Sequence, residues 1–383
     1  MIRLLKFDII HPREWLREQK AQLPDLDGMS LTDYREWLIS LASNYSDFYT
    51  HPLNQTGEWV AEEFFLQDND YLRKTAAHLY GKLPARLLEV LIRGLGRVTR
   101  RRSYWRLFVV DRYIRHFKPD VLFARSQPIP SAFWQRYRSS SLLVARLSAR
   151  LPFSWHPNHF ELLYTDQPDF QTFFRLHGVK TILNDQGFDA RVAARLLPDR
   201  PLLGVVFVGG LGTKNFRERT LFFERIAQRA PFRWWGYWWN DPHGDRSFSD
   251  FPGLYAGFQG PTSGQAMFQI YHDADICLND YVDTANGIGF NQRMFEVMGA
   301  GGFLLTRQAP NFAEHFGQGL FATYADEADC LRQIDYYLAH PEERAAIAAR
   351  GQAFVLEKYS YERIALQFGA DVKAALAEKR ASR

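Results

Sequence analysis

The sequence predicts two doubly wound α/β domains in tandem, and three observations carry that prediction. Short apolar runs alternate with amphipathic stretches, the pattern of βαβ units and a parallel sheet. The rhythm breaks once, across the Asp-, Arg- and Pro-bearing stretch 184–201, and then restarts. The length, 383 residues, suits two domains at roughly 100–200 residues each, and a hydrophobic content of 46% is enough for a large core.

In chain order, Ile2 to Ile10 reads as an apolar strand ended by His11-Pro12. From Leu31 to about Leu79, helical spacing (Tyr34, Trp37, Leu38, Leu41) is interrupted by turn chemistry at His51-Pro52 and Gly57. Leu83 to His116 is helical and rich in arginine, and Lys118-Pro119-Asp120 ends it. Val121 to Ala124 follows as a buried strand with the exit loop 125–128. Further strands are expected at Leu142 to Ala145, Leu162 to Thr165 and Lys180 to Leu183, with a helix from Asp169 to His177. The second rhythm opens with the β-branched strand Leu202 to Val208, which runs into Gly209-Gly210-Leu211-Gly212 and a helix from Arg217 to Ala230. Phe232 to Trp239, Leu254 to Phe258, Ile276 to Leu278 and Phe303 to Thr306 read as strands. Gly264 to His272, Asn291 to Gly299, Ala328 to Ala339 and Glu342 to Tyr359 read as helices. The expected domains are residues 1–190 and 200–358, with a final helix in 361–383 packing back on the first.

Composition narrows the function. Forty-seven Lys and Arg against 43 Asp and Glu leave a net charge of +4, small for this length, so nucleic acid is not expected as a partner. Two cysteines, Cys277 and Cys330, show no metal-ligand spacing and form no disulfide framework; a reducing, cytoplasmic setting is expected. No apolar run reaches the length of a membrane span, and the charged start lacks the uninterrupted apolar stretch of a signal peptide.

One segment carries most of the chemistry. Asn279 to Thr306 reads NDYVDTANGIGFNQRMFEVMGAGGFLLT. Gly287 and Gly289 permit close backbone approach, and a helix starting near Phe290 or Asn291 would aim free N–H groups and its positive dipole end at a phosphate. Arg293 and Glu296 fall one turn apart on that helix. Gly209, Gly210 and Gly212 follow the first strand of the second domain, where a glycine loop can wrap a phosphate or a sugar. They do not spell G-x-G-x-x-G, so a nicotinamide or flavin cofactor is not supported. Lys214, Arg217 and Arg219 come next, as counter-charges for a diphosphate or as solvated basic residues at a helix start.

The Asn279 to Thr306 segment resembles the donor-site signature of the spore-maturation-protein-B-like glycosyltransferases. FVGGLGTKNFRER from Phe207, YYLAHPEERAAIAARG from Tyr336, Lys118-Pro119-Asp120-Val121 and LASNYSDFYTHPLNQTGEW from Leu41 are similar to the same family. The resemblance implies a GT-B fold: two Rossmann-like domains facing a cleft, the last helix crossing back to the first. It implies transfer of a sugar from a nucleotide-sugar donor to a glycan or lipid-linked glycan, in bacterial surface polysaccharide biosynthesis and without a metal cofactor. By the same resemblance Glu296 accepts the ribose hydroxyls, Asn291 or Arg293 meets the diphosphate, and Arg219 is the preferred basic residue of its group. Gly236, Tyr237, Phe258 and Gly260 are expected to border the base. Two glutamates eight positions apart, known from other GT-B enzymes, are not present; Ile288 stands where the first would fall.

The literal D-x-D at Asp273-Ala274-Asp275 falls between a helix and a strand and reads as a helix terminator, so it is not taken as a metal site. On the acceptor side, His11, Asp47, His51, Glu58, Arg125 and His156 occupy loops of the first domain; His11 and Glu58 are the chosen candidates for catalysis, together with Arg293. Arg93 to Arg115 holds eight arginines with Tyr104 and Trp105 interleaved. It reads either as a solvated helix face or as a peripheral contact with the inner face of a membrane or a lipid-linked acceptor. Two other functions fit parts of the pattern: a non-catalytic nucleotide- or sugar-binding module, and an Arg-rich nucleic-acid binder.

Overall fold

The computed structural model describes residues 1–10, 12–43, 46–99, 103–125, 128–147, 155–184, 186–213, 216–239, 247–281 and 291–382. The chain divides into two compact units. Unit 1 comprises 1–11, 19–185 and 362–383, and unit 2 comprises 12–18 and 186–361.

Unit 1 is built on six strands: β1 (Ile2–Asp8), β2 (Trp59–Phe65), β3 (Val121–Ala124), β4 (Leu142–Arg146), β5 (Leu162–Thr165) and β6 (Lys180–Leu183). They form one sheet in the order β2-β1-β3-β4-β5-β6, and every pairing is parallel. β3, β4 and β5 are buried along their whole length, which is why they read as continuous apolar runs. The order reverses between β1 and β3, so the connections leave to opposite sides there. β2 was not expected from the sequence: its paired Glu62-Glu63 mimics the polar face of a helix, whereas Glu63 is buried against Lys6 of β1. The expected long helix of 83–116 is two helices, Lys82–Val98 and Tyr104–Phe117. The latter buries Trp105, Val109, Val110, Tyr113, Ile114 and Phe117, so much of its surface is core; Arg100, Arg101 and Arg102 lie outside the described residues.

The last helix, Tyr361–Ala381, closes unit 1. Phe368 is fully buried among Phe123 (4.7 Å), Tyr164 (5.1 Å) and Tyr49 (5.3 Å). The Tyr164 hydroxyl donates to Asp371 (3.2 Å), and Arg380 reaches Asp120 (2.9 Å).

Unit 2 holds β7 (Val205–Val208), β8 (Leu211–Gly212), β9 (Phe232–Trp235), β10 (Trp238–Trp239), β11 (Ile276–Asn279), β12 (Leu304–Arg307) and β13 (Ala322–Tyr324). The main sheet runs β13-β12-β11-β7-β9 and is wholly parallel; β8 and β10 form a separate parallel pair. Its core gathers Phe207, Phe223, Trp234, Leu278, Leu305 and Tyr324. The expected Phe232 to Trp239 strand is broken by Gly236 into β9 and β10, because the chain folds over the glycine loop. The 254–258 strand is instead the short helix Pro252–Gly257, whose first-turn proline fixes a helical φ.

Candidate functional site

In unit 2 the strand order reverses between β7 and β11, and the carboxyl ends of two such strands border the crevice where open α/β sheets take ligands. Arg293, on the helix Gln292–Gly299, spans this point. Its Nε donates to the Val208 carbonyl at the end of β7 (2.7 Å), and its Nη1 donates to Asn279 Oδ1 at the end of β11 (2.7 Å). The guanidinium carbon sits 4.6 Å from the Phe207 ring centroid. Gly209 is bare for a reason: a Cβ there would stand 2.3 Å from Arg293 Nη2.

Asn279 is fully buried and connects the site's parts. Its Oδ1 also accepts from Asn291 Nδ2 (3.1 Å), and its Nδ2 donates to Thr306 Oγ1 (3.0 Å). Its carbonyl accepts from the Tyr324 hydroxyl (2.9 Å). One residue, through its side chain and its carbonyl, therefore ties the ends of β11, β12 and β13 to the start of the Arg293 helix. Next to it, Asp280 is buried and accepts both Arg307 Nε (2.8 Å) and Nη2 (2.9 Å), a bidentate pair. Sequence reasoning missed Asn279, Asp280 and Arg307. The signal was there as two polar residues directly after the apolar strand Ile276 to Leu278.

Glu296 lies one turn after Arg293 and is half-buried. Burial pushes its carboxyl up to about 7, against the pull of Arg293 and of a hydrogen bond from Gln292. The buried Tyr271 hydroxyl is hydrogen-bonded to Arg293, and burial, followed by the Glu296 charge, raises its pKa. Asn291 precedes the helix and does not cap it, and its buried Oδ1 has no hydrogen-bond partner among the described residues. The helix's first N–H groups and the unpaired Asn291 carbonyl oxygen thus share one end with Arg293. Gly287 and Gly289 fall in 282–290, outside the described residues, as does Lys214.

The glycine loop departs from expectation. A Cβ on Gly210 would meet the Tyr237 ring at 2.6 Å; on Gly212, the Trp239 carbonyl oxygen at 2.1 Å; on Gly236, the Gly209 carbonyl oxygen at 2.0 Å. These three glycines let β8 lie against the chain around β10, and they are occupied by protein atoms. Gly209, facing Arg293, is the loop glycine that belongs to the site. Arg219 is corrected as well: it is 5% exposed, donating to the carbonyls of Gly210 and Asp280 (3.3 Å) and lying over the Phe216 ring (4.5 Å). It pins the loop to the end of β11 and is not a free counter-charge. Phe258 packs on Trp234 (4.7 Å) and Phe248 (5.4 Å), in place of lying open to a base. The Gly260 carbonyl accepts the Gly236 N–H (3.0 Å), and Tyr237, 40% exposed, presents its ring beside Gly210. Asp273 and Asp275 are engaged by Gln269 (2.7 Å) and by Arg344 (2.5 Å) before the start of β11, at the amino end of the strand, opposite the site.

Unit 1 has its own reversal, between β1 and β3. There Asp8 ends β1 and faces Arg125, just past β3, at 3.7 Å. Lys6 Nζ is 3.3 Å from Asp8 and donates to Glu63 (2.8 Å) and to the Ser46 carbonyl (2.7 Å). Thr50 Oγ1 donates to Glu63 (2.7 Å), whose carboxyl burial pushes up to about 7 against the pull of Lys6. Glu58, expected as a catalytic candidate, stands at the amino end of β2, 59% exposed and ion-paired with Lys373 of the last helix. It therefore lies on the wrong edge of the sheet for a ligand. His11 is outside the described residues.

Comparison with known proteins agrees with this geometry. Residues 217–370 match the family model described as glycosyl transferase-like. Comparison with curated protein sequences returns no match. Among solved structures, the chain is similar to HepE of Anabaena in complex with UDP and glucose: TM-score 0.54, 14% identity, 98% of this chain and 100% of that one. It is also similar to the UDP-forming alpha,alpha-trehalose-phosphate synthase of Burkholderia vietnamiensis, at TM-score 0.57, 13% identity, 99% of this chain and 100% of that one. Sucrose-phosphate synthase of Thermosynechococcus elongatus gives TM-score 0.53, 12% identity, 99% and 100%. At such identities the likeness establishes the fold. The chain has a GT-B fold, and its residues 217–370 match a glycosyl transferase-like family model.

Proposed function

We propose that this GT-B glycosyltransferase moves a sugar from a nucleotide-sugar donor, held at the strand ends of unit 2, to a hydroxyl of a glycan or lipid-linked glycan. The observation that carries the reading is Arg293 fixed across β7 and β11 with Glu296 one turn away. Glu296 accepts the ribose hydroxyls. Arg293 and the helix start neutralise the diphosphate, whose charge grows as the sugar departs. Two of the similar structures support the donor class: HepE was solved with UDP-glucose and with UDP. The acceptor side is assigned to unit 1, with Asp8 and Arg125 at its strand reversal and His11, three residues beyond Asp8, as the candidate base. The likeness of Asn279 to Thr306 to the spore-maturation-protein-B-like family supports a role in surface polysaccharide synthesis. The two free, buried thiols support a reducing compartment.

The test is calorimetric titration of the protein with a panel of nucleoside diphosphates and nucleotide sugars, in wild type and Glu296→Ala. Binding of at least one, weakened roughly 10- to 100-fold in the variant, is the expected result. Binding by none, or equal binding by a folded variant, overturns the donor site.

A further inference from the structure

The helix Lys82–Val98 of unit 1 is amphipathic the wrong way round for a core element. Leu83, Leu87, Val90, Leu91, Leu95 and Val98 fall on one face at 3.6 residues per turn, and all six are 59–84% exposed. The opposite face supplies the buried residues Ala85 and Gly96. Basic residues line one border of the apolar stripe: Lys82, Arg86, Arg93 and Arg97, with Arg100, Arg101 and Arg102 following in sequence. Glu89 is the helix's one acidic side chain, held by Arg73 (3.0 Å) and Arg93 (2.8 Å). Beyond that border lies a groove of about 1160 Å³, whose lining includes Arg73, Lys74, His78, Arg86, Arg93 and Arg97. Asp27 and Asp70 also line it, and Asp70 is engaged by Lys20 (2.7 Å). No helix among the described residues is long and apolar enough to cross a membrane.

We propose that this helix docks unit 1 on an anionic lipid bilayer, with the leucine stripe in the acyl–headgroup boundary and the arginine border against lipid phosphates. A stripe of large apolar side chains bordered by cations is what an interfacial helix needs, since burial of the stripe and attraction to anionic lipid act together. The charge decides the occupant. A second copy of the chain would bring the same run of arginines against itself, whereas an anionic surface complements it. The contact centres on the leucine face of 82–98 and shares only Arg93 and Arg97, among the described residues, with the 93–115 arginine run, which the structure divides between two helices. The inference stands on this surface alone, and its test reads no transfer chemistry, so it can fail while the donor site stands.

The experiment is co-sedimentation of the full chain with vesicles of phosphatidylcholine, with and without phosphatidylglycerol. Wild type is expected to bind the mixed vesicles, less on phosphatidylcholine alone and less as salt rises. Leu87→Glu/Leu91→Glu should reduce partitioning by roughly tenfold or more. Arg86→Glu/Arg97→Glu should remove the preference for phosphatidylglycerol. Unchanged circular dichroism and melting temperature would show that both variants fold, as their exposed positions lead us to expect. Wild type that stays in the supernatant, variants that bind as wild type does, or a dimer in light scattering that the leucine variant dissolves would each overturn the proposal.

Discussion

Arg293 holds its guanidinium between a backbone carbonyl, an asparagine amide and a phenylalanine ring, so its charge is in place before any ligand arrives. Lysine carries the same charge without the fork, and Arg293→Lys should lower kcat about 100-fold while nucleotide affinity changes less; single-turnover and binding measurements separate the two. Glu296 adds a pH signature. Its carboxyl, ordinarily near 4.5, is pushed up to about 7 in the folded protein, so the folded state holds a proton that the unfolded chain releases. Its stabilising share is complete below 4.5 and is lost as pH rises through about 7. In the proposed donor site the ribose hydroxyls need the ionised form, so donor affinity should strengthen over that same rise. Glu296→Gln should flatten the binding profile in titrations on either side of neutrality, whereas Glu63 in unit 1, also near 7, keeps its own share of the stability profile. Arg293 and Glu296 were legible as a one-turn pair. Asn279 was not, because a lone asparagine after a strand gains meaning only when the sheet brings Asn291, Thr306 and Tyr324 around it.

The strand β2 and the glycine loop mark the limit of sequence pattern. Alternation and apolar runs identified the buried strands β3, β5 and β7, whose neighbours on both sides demand apolar side chains. β2 was lost because a buried ion pair looks like a polar face until the parallel register sets Lys6 opposite Glu63. The glycines were visible but their reason was not, since close approach of one chain segment to another leaves the same residue as close approach to a phosphate. This distinction is measurable. Gly236→Ala forces a Cβ to 2.0 Å from the Gly209 carbonyl oxygen at a φ of +153°, and should cost more than about 4 kcal/mol in urea unfolding. Gly57→Ala meets nothing within 4 Å, and its φ of +72° alone should cost about 1–2 kcal/mol.

On the scale of the whole chain, the two α/β rhythms and the glycosyl transferase-like signature were legible, because each repeats a local pattern many residues long. The reversals of strand order were not, because adjacency in a sheet is a property of the fold and not of any segment. Unit 1 depends on a helix that follows all of unit 2 in sequence. Removing the Phe368 ring from among Tyr49, Phe123 and Tyr164 should destabilise the protein by about 3–5 kcal/mol, read as a lower unfolding midpoint in Phe368→Ala. During synthesis that same dependence inverts the order of completion. The ribosome makes β1 to β6 first, yet their aromatic face waits uncovered while 186–361 is translated and able to fold. A released chain truncated after Tyr361 should therefore yield a protease-resistant unit 2 attached to a unit 1 that is still cleavable and bound by chaperones, and restoring the last helix should protect both.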